Sequence, residues 1–244
     1  MATAYEIRKK AEEYLEPGSY ETTVLDYIPD VTDNNVTFGN KGVKLHASVL
    51  YLDMRGSTDV IKAHHKYTVA KIQKAYLYLA TQIVANNAGH VRSFNGDGIL
   101  AFFPRNYKET IRNAVKAAMQ ITWMLKSECA SAFERYLSVD FGIGIDHGEL
   151  FVTRVGIPRN PDHNDLTWIG LPVNTAVRLG DTAKNPNNIC ISSYMYENLL
   201  DEVKYVEITR PWGSIEQIDM WKQNFMTVHG EITSVYNTSY HWSF

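Results

Sequence analysis

Cysteine is scarce in this sequence, which argues against the metal sites that cysteines commonly build. Only two cysteines occur among the 244 residues. Cys129 falls in a helical pattern and Cys190 in a strand-like run, and their spacing matches no metal-binding motif. We interpret both as small buried apolar residues.

Long apolar runs are missing as well. No stretch approaches the roughly 18 residues that a membrane-spanning helix needs. The first residues, MATAYEIRKKAEEYLEPGS, mix charged and apolar side chains and lack the continuous apolar core of a signal peptide. We therefore expect no membrane span, an N-terminus that is retained in the mature protein, and a cytoplasmic location.

An excess of positive charge is the third absence. The chain has 24 Lys and Arg against 27 Asp and Glu, a net charge of −3. Proteins that bind nucleic acid through its phosphates depend on a dense excess of Lys and Arg. We therefore expect no nucleic-acid partner, and any anion-binding site must be local. A hydrophobic content of 45% and a charged content of 21% are typical of a soluble globular protein.

Periodic patterns are clear from residue 46 onward, whereas residues 16–44 show no clean period. A short helix is predicted at residues 4–15, and the stretch EPGS ends it. The later patterns predict a strand at 46–53, a helix at 66–89, a hairpin at 90–104 that turns at Asn95 to Asp97, a helix at 106–136, a second hairpin at 137–156 that turns near Asp146 to Gly148, a strand and helix at 166–183, and strands at 188–194 and 202–209.

This order of elements predicts an α+β fold, in which helices cover one face of a mostly antiparallel sheet. The sequence has no internal repeat and no flexible linker after residue 45. We therefore divide the chain into an N-terminal helix and extension, residues 1–45, and one catalytic-type domain, residues 46–244.

Two aspartates stand at positions that suit metal binding. Asp53 ends the first strand of the domain, and Asp97 lies in the turn of the hairpin that is expected beside it. Neighbouring carboxylates repel each other unless a cation lies between them, and hard divalent cations prefer oxygen ligands. On spacing alone, a pair of capping or turn aspartates is the alternative.

Two further segments carry polar residues in suggestive positions. After Asp53, the residues MRGST supply a glycine for a tight turn and hydroxyl residues that suit a helix start, which leaves backbone N–H groups free for a phosphate. Asn174 and Arg178 lie four residues apart, hence on one face of a helix. An ordinary N-cap and a salt-bridged surface arginine are the alternatives.

Four segments, VLYLDMRGST, VRSFNGDGILAFF, VDFGIGIDHGEL and LTWIGLPVNTAVRL, occur in the order and spacing of the class III nucleotidyl cyclase catalytic domain, which the chain resembles over roughly residues 46–208. The resemblance implies a ferredoxin-like core and a head-to-tail homodimer whose active sites are shared across its interface. By the same resemblance, Asp53, Asp97 and the Met54 carbonyl bind two Mg²⁺ or Mn²⁺ ions per site, Asn174 and Arg178 orient the ribose and stabilise the transition state, and Arg55, Gly56, Ser57 and Thr58 bind the triphosphate.

The implied reaction converts a nucleoside triphosphate into a 3′,5′-cyclic monophosphate and pyrophosphate, by in-line attack of the ribose 3′ oxygen on the α-phosphorus. An inactive cyclase-like module that binds a nucleotide or a protein partner is the alternative from another functional class. The intact set of Asp53, Asp97, Asn174 and Arg178 argues against that alternative.

Two positions read the base in the purine cyclases of this family, and here they are Ser93 and Thr167. Thr167 fits many adenylate cyclases, but Ser93 is neither the lysine nor the glutamate of the purine patterns and cannot reach the ring edge as they do. Tyr51 shares a strand face with Asp53 and either fills the space beside a smaller ring or packs in the core.

This combination resembles the pyrimidine cyclases of bacterial anti-phage (Pycsar) systems, which supply cyclic UMP or cyclic CMP to a separate effector protein. We therefore expect UTP to be favoured over CTP, with adenylate or guanylate cyclase activity as the alternative. One family feature is missing, because the triphosphate-binding lysine near the domain end has no clear counterpart; Arg154, Arg55 and Lys222 are open as substitutes. His147 is expected to be a turn residue.

Overall fold

The computed structural model describes residues 2–136 and 139–244, and its helices and strands follow one another in a mixed order. The elements are α1 Ala4–Leu15, β1 Glu21–Val24, β2 Lys41–Arg55, α2 Ser57–Ala63, α3 Lys66–Asn86, β3 His90–Asn95, β4 Gly98–Pro104, α4 Lys108–Trp123 with a π-helical turn Met124–Glu128, α5 Ala130–Glu134, β5 Asp140–Gly156, a 3-10 turn Pro161–His163, β6 Asn164–Ile169, α6 Leu171–Thr182, β7 Ile189–Ser192, α7 Ser193–Glu197, α8 Asp201–Lys204, β8 Tyr205–Thr209, β9 Ile215–Asp219, β10 Lys222–Val228 and β11 Glu231–Thr238. Among the described residues, no helix is both long and apolar enough to cross a membrane.

The main sheet has nine strands, and β2 lies near its centre. The strand order is β10-β11-β7-β5-β2-β4-β3, with β1 beside β2 and β6 beside β5, while β8 and β9 form a separate two-stranded sheet. The pairs β2–β5 and β2–β4 are antiparallel, whereas β1–β2 and β5–β7 are parallel. The sheet is therefore mostly antiparallel, as the sequence predicts.

Helices cover both faces of this sheet rather than the single face that we expected. The even-numbered residues at the end of β2, Leu50, Leu52 and Met54, pack with α3 and α4 in the larger core. Val49 faces the opposite side, where Ala176 of α6 completes a second core. Alternation along a strand sends successive side chains to opposite faces, so Tyr51, Asp53 and Arg55 lie on the same face as α6.

One predicted hairpin is wrong. Residues 140–156 form the single strand β5, and there is no turn at Asp146 to Gly148; Leu137 and Ser138, at the start of the predicted hairpin, lie outside the described residues. The strand is continuous because its polar residues find buried partners. The Ser192 hydroxyl donates to the Asp146 carboxylate at 2.6 Å, although burial raises the pKa of that carboxyl.

His147 is correspondingly a buried strand residue and not a turn residue. Its Nδ1 lies 2.9 Å from the Ser48 hydroxyl, and its Nε2 lies 2.9 Å from the Asn106 Oδ1. Burial is the main cause that lowers the pKa of His147 to about 4, so the ring is neutral at pH 7. A neutral imidazole can serve both neighbours, one as donor and one as acceptor.

Two glycines of β5 allow the backbone of α6 to lie directly on the sheet. A Cβ atom at Gly144 would stand 1.9 Å from the carbonyl oxygen of Ala176. A Cβ atom at Gly142 would stand 2.1 Å from the carbonyl oxygen of Gly180. No side chain fits between strand and helix at these points, so glycine is required for the observed position of α6.

We predict that Gly144→Ala will lower the free energy of unfolding by about 1–3 kcal/mol or more, because the added methyl group meets rigid backbone. Chemical denaturation monitored by circular dichroism measures this change. Gly18→Ala is the control, since an added Cβ there has no neighbour within 4 Å, and we expect a change within about 0.5 kcal/mol. Equal stabilities of the two variants would contradict the close approach of α6.

Candidate active site

Asp53 and Asp97 meet at one edge of the sheet, as the sequence predicts. The β3–β4 hairpin turns at Gly96, which has a left-handed φ of 64°, and the antiparallel pairing of Leu52 with Ile99 brings Asp97 beside the end of β2. A Cβ atom at Gly98 would lie 3.1 Å from Asp53 Oδ1. The absent side chain therefore leaves room for the Asp53 carboxylate.

The electrostatics of this pair favour a bound cation. Burial and, second, the neighbouring charge of Asp97 raise the pKa of Asp53. The Oδ2 atom of Asp97 is buried without a hydrogen-bond partner. A buried carboxylate oxygen without a donor is costly, and a divalent cation between the two carboxylates would relieve both costs.

The ligand set is compatible with Mg²⁺ or Mn²⁺. The described residues contain no group of three or more His, Cys, Asp or Glu side chains suited to a metal ion. Mg²⁺ is commonly held by one or two carboxylates together with water and substrate phosphates. Asp53 and Asp97 therefore fit this cation, with the substrate as a further source of oxygen ligands, and the Met54 carbonyl as a ligand stays a prediction.

The turn after Asp53 has the conformation that the sequence predicts. Gly56 is left-handed, with φ 69°, and α2 starts at the next residue. The amides of Asp59 and Val60 donate to the Gly56 carbonyl, and no side chain caps the helix. Ser57 and Thr58 thus lie in an uncapped first turn, and their role in triphosphate binding stays a prediction.

The Arg55 side chain is bound to another element of its own protomer. Its guanidinium Nη2 donates to the carbonyl oxygens of Gly180 and Ala183, the latter at 3.1 Å. Its Nη1 lies 4.0 Å from a carboxylate oxygen of Asp181. The side chain is therefore bound to the end of α6, an attachment between residues far apart in sequence that no local pattern indicates.

Asn174 and Arg178 lie on the outer face of α6. Ala176 and Gly180 are buried against the sheet, whereas Asn174 and Arg178 are exposed. Each of the two polar residues lies about 200° around the helix from Ala176. The pair therefore points away from the sheet of its own protomer, and the structure does not bring it to Asp53 and Asp97 within one chain.

The proposed base-reading residues lie apart within the protomer. Ser93 is exposed and follows a β-bulge, because the register between β3 and β4 shifts between Val91 and Ser93. Thr167 is partly buried on β6, where it pairs with Thr153. In the described part of the chain, no hydrogen bond joins Ser93 to Thr167.

Tyr51 lies against α6 beside the metal-site edge. A Cβ atom at Gly180 would stand 2.7 Å from the Tyr51 ring, so the ring packs on the helix backbone. Burial, followed by the charge of Asp53, raises the pKa of Tyr51 to about 12, and its hydroxyl is protonated at neutral pH. Packing against α6 is observed, and contact with a base stays a prediction.

The two other candidates for the missing lysine have different surroundings. Arg154 stacks its guanidinium over Phe38 at 5.0 Å, and its Nε is buried without a hydrogen-bond partner. Lys222 is the exposed first residue of β10. Thr175 of α6 lies 3.0 Å from His229 in the β10–β11 turn, a contact between residues far apart in sequence.

Comparisons with known proteins identify related cyclases. The chain is 32% identical over 203 residues to a uridylate cyclase of Xanthomonas perforans, covering 81% of this chain and 84% of the relative. It is 29% identical over 224 residues to a uridylate cyclase of Burkholderia cepacia, covering 90% and 94% of the two chains. The crystal structure of the adenylyl cyclase CyaB from P. aeruginosa matches 80% of this chain and 94% of its own, with a TM-score of 0.65 and 20% identity.

No family model matches the sequence. The mixed α/β architecture is nevertheless that of the adenylyl and guanylyl cyclase structures. The identity to the Xanthomonas enzyme over most of both chains shows more: this protein belongs to the uridylate cyclase family, and it is a nucleotidyl cyclase.

We predict that Asp53→Asn will raise the melting temperature of the metal-free protein at pH 7. The raised pKa of Asp53 means that the fold disfavours the charged carboxylate. Stability is therefore lost as the pH rises from the ordinary aspartate pKa through the raised one. The gain from the amide should be largest at neutral pH and should shrink as the pH falls toward the ordinary value.

The same variant should lose the stabilisation that millimolar Mn²⁺ gives to the wild-type protein, because binding to the folded state raises the melting temperature. Differential scanning calorimetry with and without Mn²⁺ measures both effects. Asp59→Asn is the matched control, since the Asp59 side chain is 86% exposed; it should change neither. A full Mn²⁺ response in Asp53→Asn would count against a cation site at Asp53.

Proposed function

We propose that this protein is a homodimeric, divalent-metal-dependent uridylate cyclase that converts UTP into cyclic UMP and pyrophosphate. The observation that carries the base assignment is the identity of 32% over most of the chain to a relative named uridylate cyclase. The intact set of Asp53, Asp97, Asn174 and Arg178 supports catalysis over the alternative of an inactive nucleotide-binding module.

The chain's own residues have distinct roles in the proposed reaction. Asn174 orients the ribose so that its 3′ oxygen faces the α-phosphorus, and positioning of this kind contributes much of the rate in phosphoryl transfer. The new P–O bond forms as the bond from the α-phosphorus to the pyrophosphate oxygen breaks, and the hydroxyl proton leaves to solvent. Arg178 stabilises the negative charge that develops on the α-phosphoryl oxygens.

Asp53, Asp97 and the Met54 carbonyl would hold the divalent cations. When bound, such cations lower the pKa of the 3′ hydroxyl and neutralise the triphosphate. The protein's contribution is the arrangement of these oxygens at one edge of the sheet. Gly98 leaves space beside the Asp53 carboxylate, and the unpaired Oδ2 atom of Asp97 is available to a cation.

The direction of the α6 side chains supports the proposed dimer. Asn174 and Arg178 are exposed and point away from the sheet edge that carries Asp53 and Asp97. All four residues can serve one substrate only if α6 of one protomer faces the aspartates of another. A two-fold head-to-tail arrangement gives two equivalent sites of this kind.

Complementation tests the shared site. We predict that Asp53→Ala and Arg178→Ala homodimers are both inactive, and that mixing them with subunit exchange restores activity. Random exchange makes half of the dimers mixed, each with one of two sites intact, so about a quarter of the wild-type activity is expected. If exchange is demonstrated by size or mass and no activity returns, the sites are not shared.

The pyrimidine preference is proposed from the small side chain at Ser93 and from Tyr51. Ser93 leaves the purine-reading position without a long charged side chain, and the Tyr51 ring occupies space between β2 and α6. A serine hydroxyl can donate or accept, so neither base edge is excluded by charge. Preference for uracil over cytosine is proposed from the named relatives, with Thr167 as the second reader.

Competition among ATP, GTP, CTP and UTP, with cyclic products identified by mass spectrometry, tests this proposal. We expect cyclic UMP to be the main product. Thr167→Ala should reduce the UTP:CTP ratio more than it slows turnover, because loss of one good hydrogen bond corresponds to about a 5- to 150-fold change. Thr153→Ala is the control on the paired strand. A purine product would overturn the pyrimidine assignment.

We further propose that cyclic UMP acts as a second messenger in anti-phage defence. A separate protein that binds the cyclic nucleotide would serve as the effector, and the cyclase would act in the cytoplasm without a nucleic-acid partner. The resemblance to the pyrimidine cyclases of anti-phage systems supports this role. Phage challenge of cells that carry the wild-type enzyme or Arg178→Ala, with cyclic UMP measured during infection, tests it.

A further inference from the structure

Arg55 is the one residue of the predicted triphosphate-binding loop whose side chain is already bound to another element. Its guanidinium holds the carbonyl oxygens of Gly180 and Ala183 at the end of α6. The side chain is only 26% exposed, and Asp181 lies 4.0 Å away. The helix end therefore already occupies the Nη2 donors of Arg55.

The contact satisfies groups that a helix end leaves without partners. The last carbonyls of an α-helix have no intrahelical donor, and here the amide of Ala183 donates to the Leu179 carbonyl. Arg55 supplies donors to Gly180 and Ala183. A cation at a helix C-terminus also interacts favourably with the helix dipole, and hydrogen bonds from a charged donor are stronger than neutral ones.

The neighbouring residues leave space for this contact of Arg55. A Cβ atom at Gly142 would lie 2.6 Å from the Arg55 Nη2 atom and 2.1 Å from the Gly180 carbonyl oxygen. Gly142 pairs with Asp53 on β2. The bare backbone of β5 therefore leaves a space that the guanidinium and the helix carbonyl share, directly beside the metal-site edge.

We infer that Arg55 is a positioning residue that acts through α6, and not a ligand of the triphosphate. It fixes the helix that presents Asn174 and Arg178. This inference rests on the proposed shared site. In that arrangement the α6 helix of a protomer serves one active site, while Asp53 and Gly56 of the same protomer serve the other. Arg55 therefore supports the site that its sequence neighbours do not serve.

Heterodimers with one intact active site distinguish a positioning role of Arg55 from a role as a triphosphate ligand. The dimer combines an Asp53→Ala subunit with an Arg178→Ala subunit and is isolated through two different affinity tags. Its one intact site takes the aspartates from the Arg178→Ala subunit and the α6 helix from the Asp53→Ala subunit. Arg55→Gln is added to one subunit or to the other. The same substitution then lies either in the subunit whose α6 serves the intact site or in the subunit whose aspartates serve it.

With Arg55→Gln on the Asp53→Ala subunit, we expect kcat to fall about 10- to 100-fold with little change in KM, because small displacements of a catalytic group cost up to about 100-fold. On the Arg178→Ala subunit, activity should stay within about twofold of the parent heterodimer. The opposite pattern would overturn the inference in favour of a triphosphate ligand. Equal losses on both subunits would overturn it in favour of a general structural role.

Two measurements on homodimers test Arg55 without relying on a shared site. Arg55→Gln should leave the affinity for pyrophosphate with Mn²⁺ within about twofold of wild type by calorimetry, whereas a ligand role predicts a large loss. Hydrogen exchange at the amides of residues 179–183 should become faster in the same variant. Unchanged exchange at these amides would overturn the inference. This test applies even if the parent heterodimer is inactive and the active sites are not shared.

Two further variants control for charge and folding. Arg55→Lys keeps a cation at the helix end but loses the planar pair of donors, so its exchange rates and kcat should lie between those of wild type and Arg55→Gln. Asp181→Asn removes only the 4.0 Å ion pair, whose acid is 57% exposed. Exposed ion pairs contribute little, so this variant should behave like wild type; an Arg55-like loss in it would assign the effect to Asp181.

Discussion

The direct contact between the α6 backbone and strand β5 is the constraint on which the candidate site depends. The carbonyl oxygen of Ala176 lies 1.9 Å from the position that a Cβ atom of Gly144 would occupy, so the two backbones are in direct contact. This contact decides which residues of α6 are buried. The residues opposite the contact, Asn174 and Arg178, are thereby directed outward, and in the proposed dimer they face the sheet edge that carries Asp53 and Asp97 of the partner subunit.

Strand β2 positions the other half of the candidate site, which contains Asp53. Leu50 and Leu52 pack in the larger core, and this packing fixes the position of the strand end that carries Asp53. The odd-numbered residues face α6, and there Tyr51 packs on Gly180. Packing of β2 in the core and its pairing with β4 place Asp53 beside Asp97. Burial and, second, the charge of Asp97 raise the pKa of Asp53, and a bound cation would offset this cost of the charged carboxylate.

Local signals in the sequence were sufficient for part of this architecture. The turn at Asn95 to Asp97, the left-handed glycine after Arg55 and the helix of Asn174 and Arg178 are each specified by residues close together in the chain. The misread hairpin at 137–156 had equally strong local signals, since Asp146, His147 and Gly148 are typical turn residues. Their partners Ser48, Asn106 and Ser192 are distant in sequence, so the buried network could not be foreseen. The attachment of Arg55 to α6 escaped prediction for the same reason.

Residues 28 and 29 of the N-terminal segment contact β3, the strand that carries Ser93. Arg92 is the extra residue at the bulge before Ser93, and its guanidinium donates to the carbonyl oxygens of Pro29 at 2.8 Å and Ile28 at 3.1 Å. Ile28 is itself buried in the second core. A bulge redirects the side chain that follows it, so the backbone at residues 28 and 29 helps to fix the direction of Ser93. If Ser93 reads the base, selectivity for the pyrimidine depends on residues outside the segment that carries the cyclase motifs.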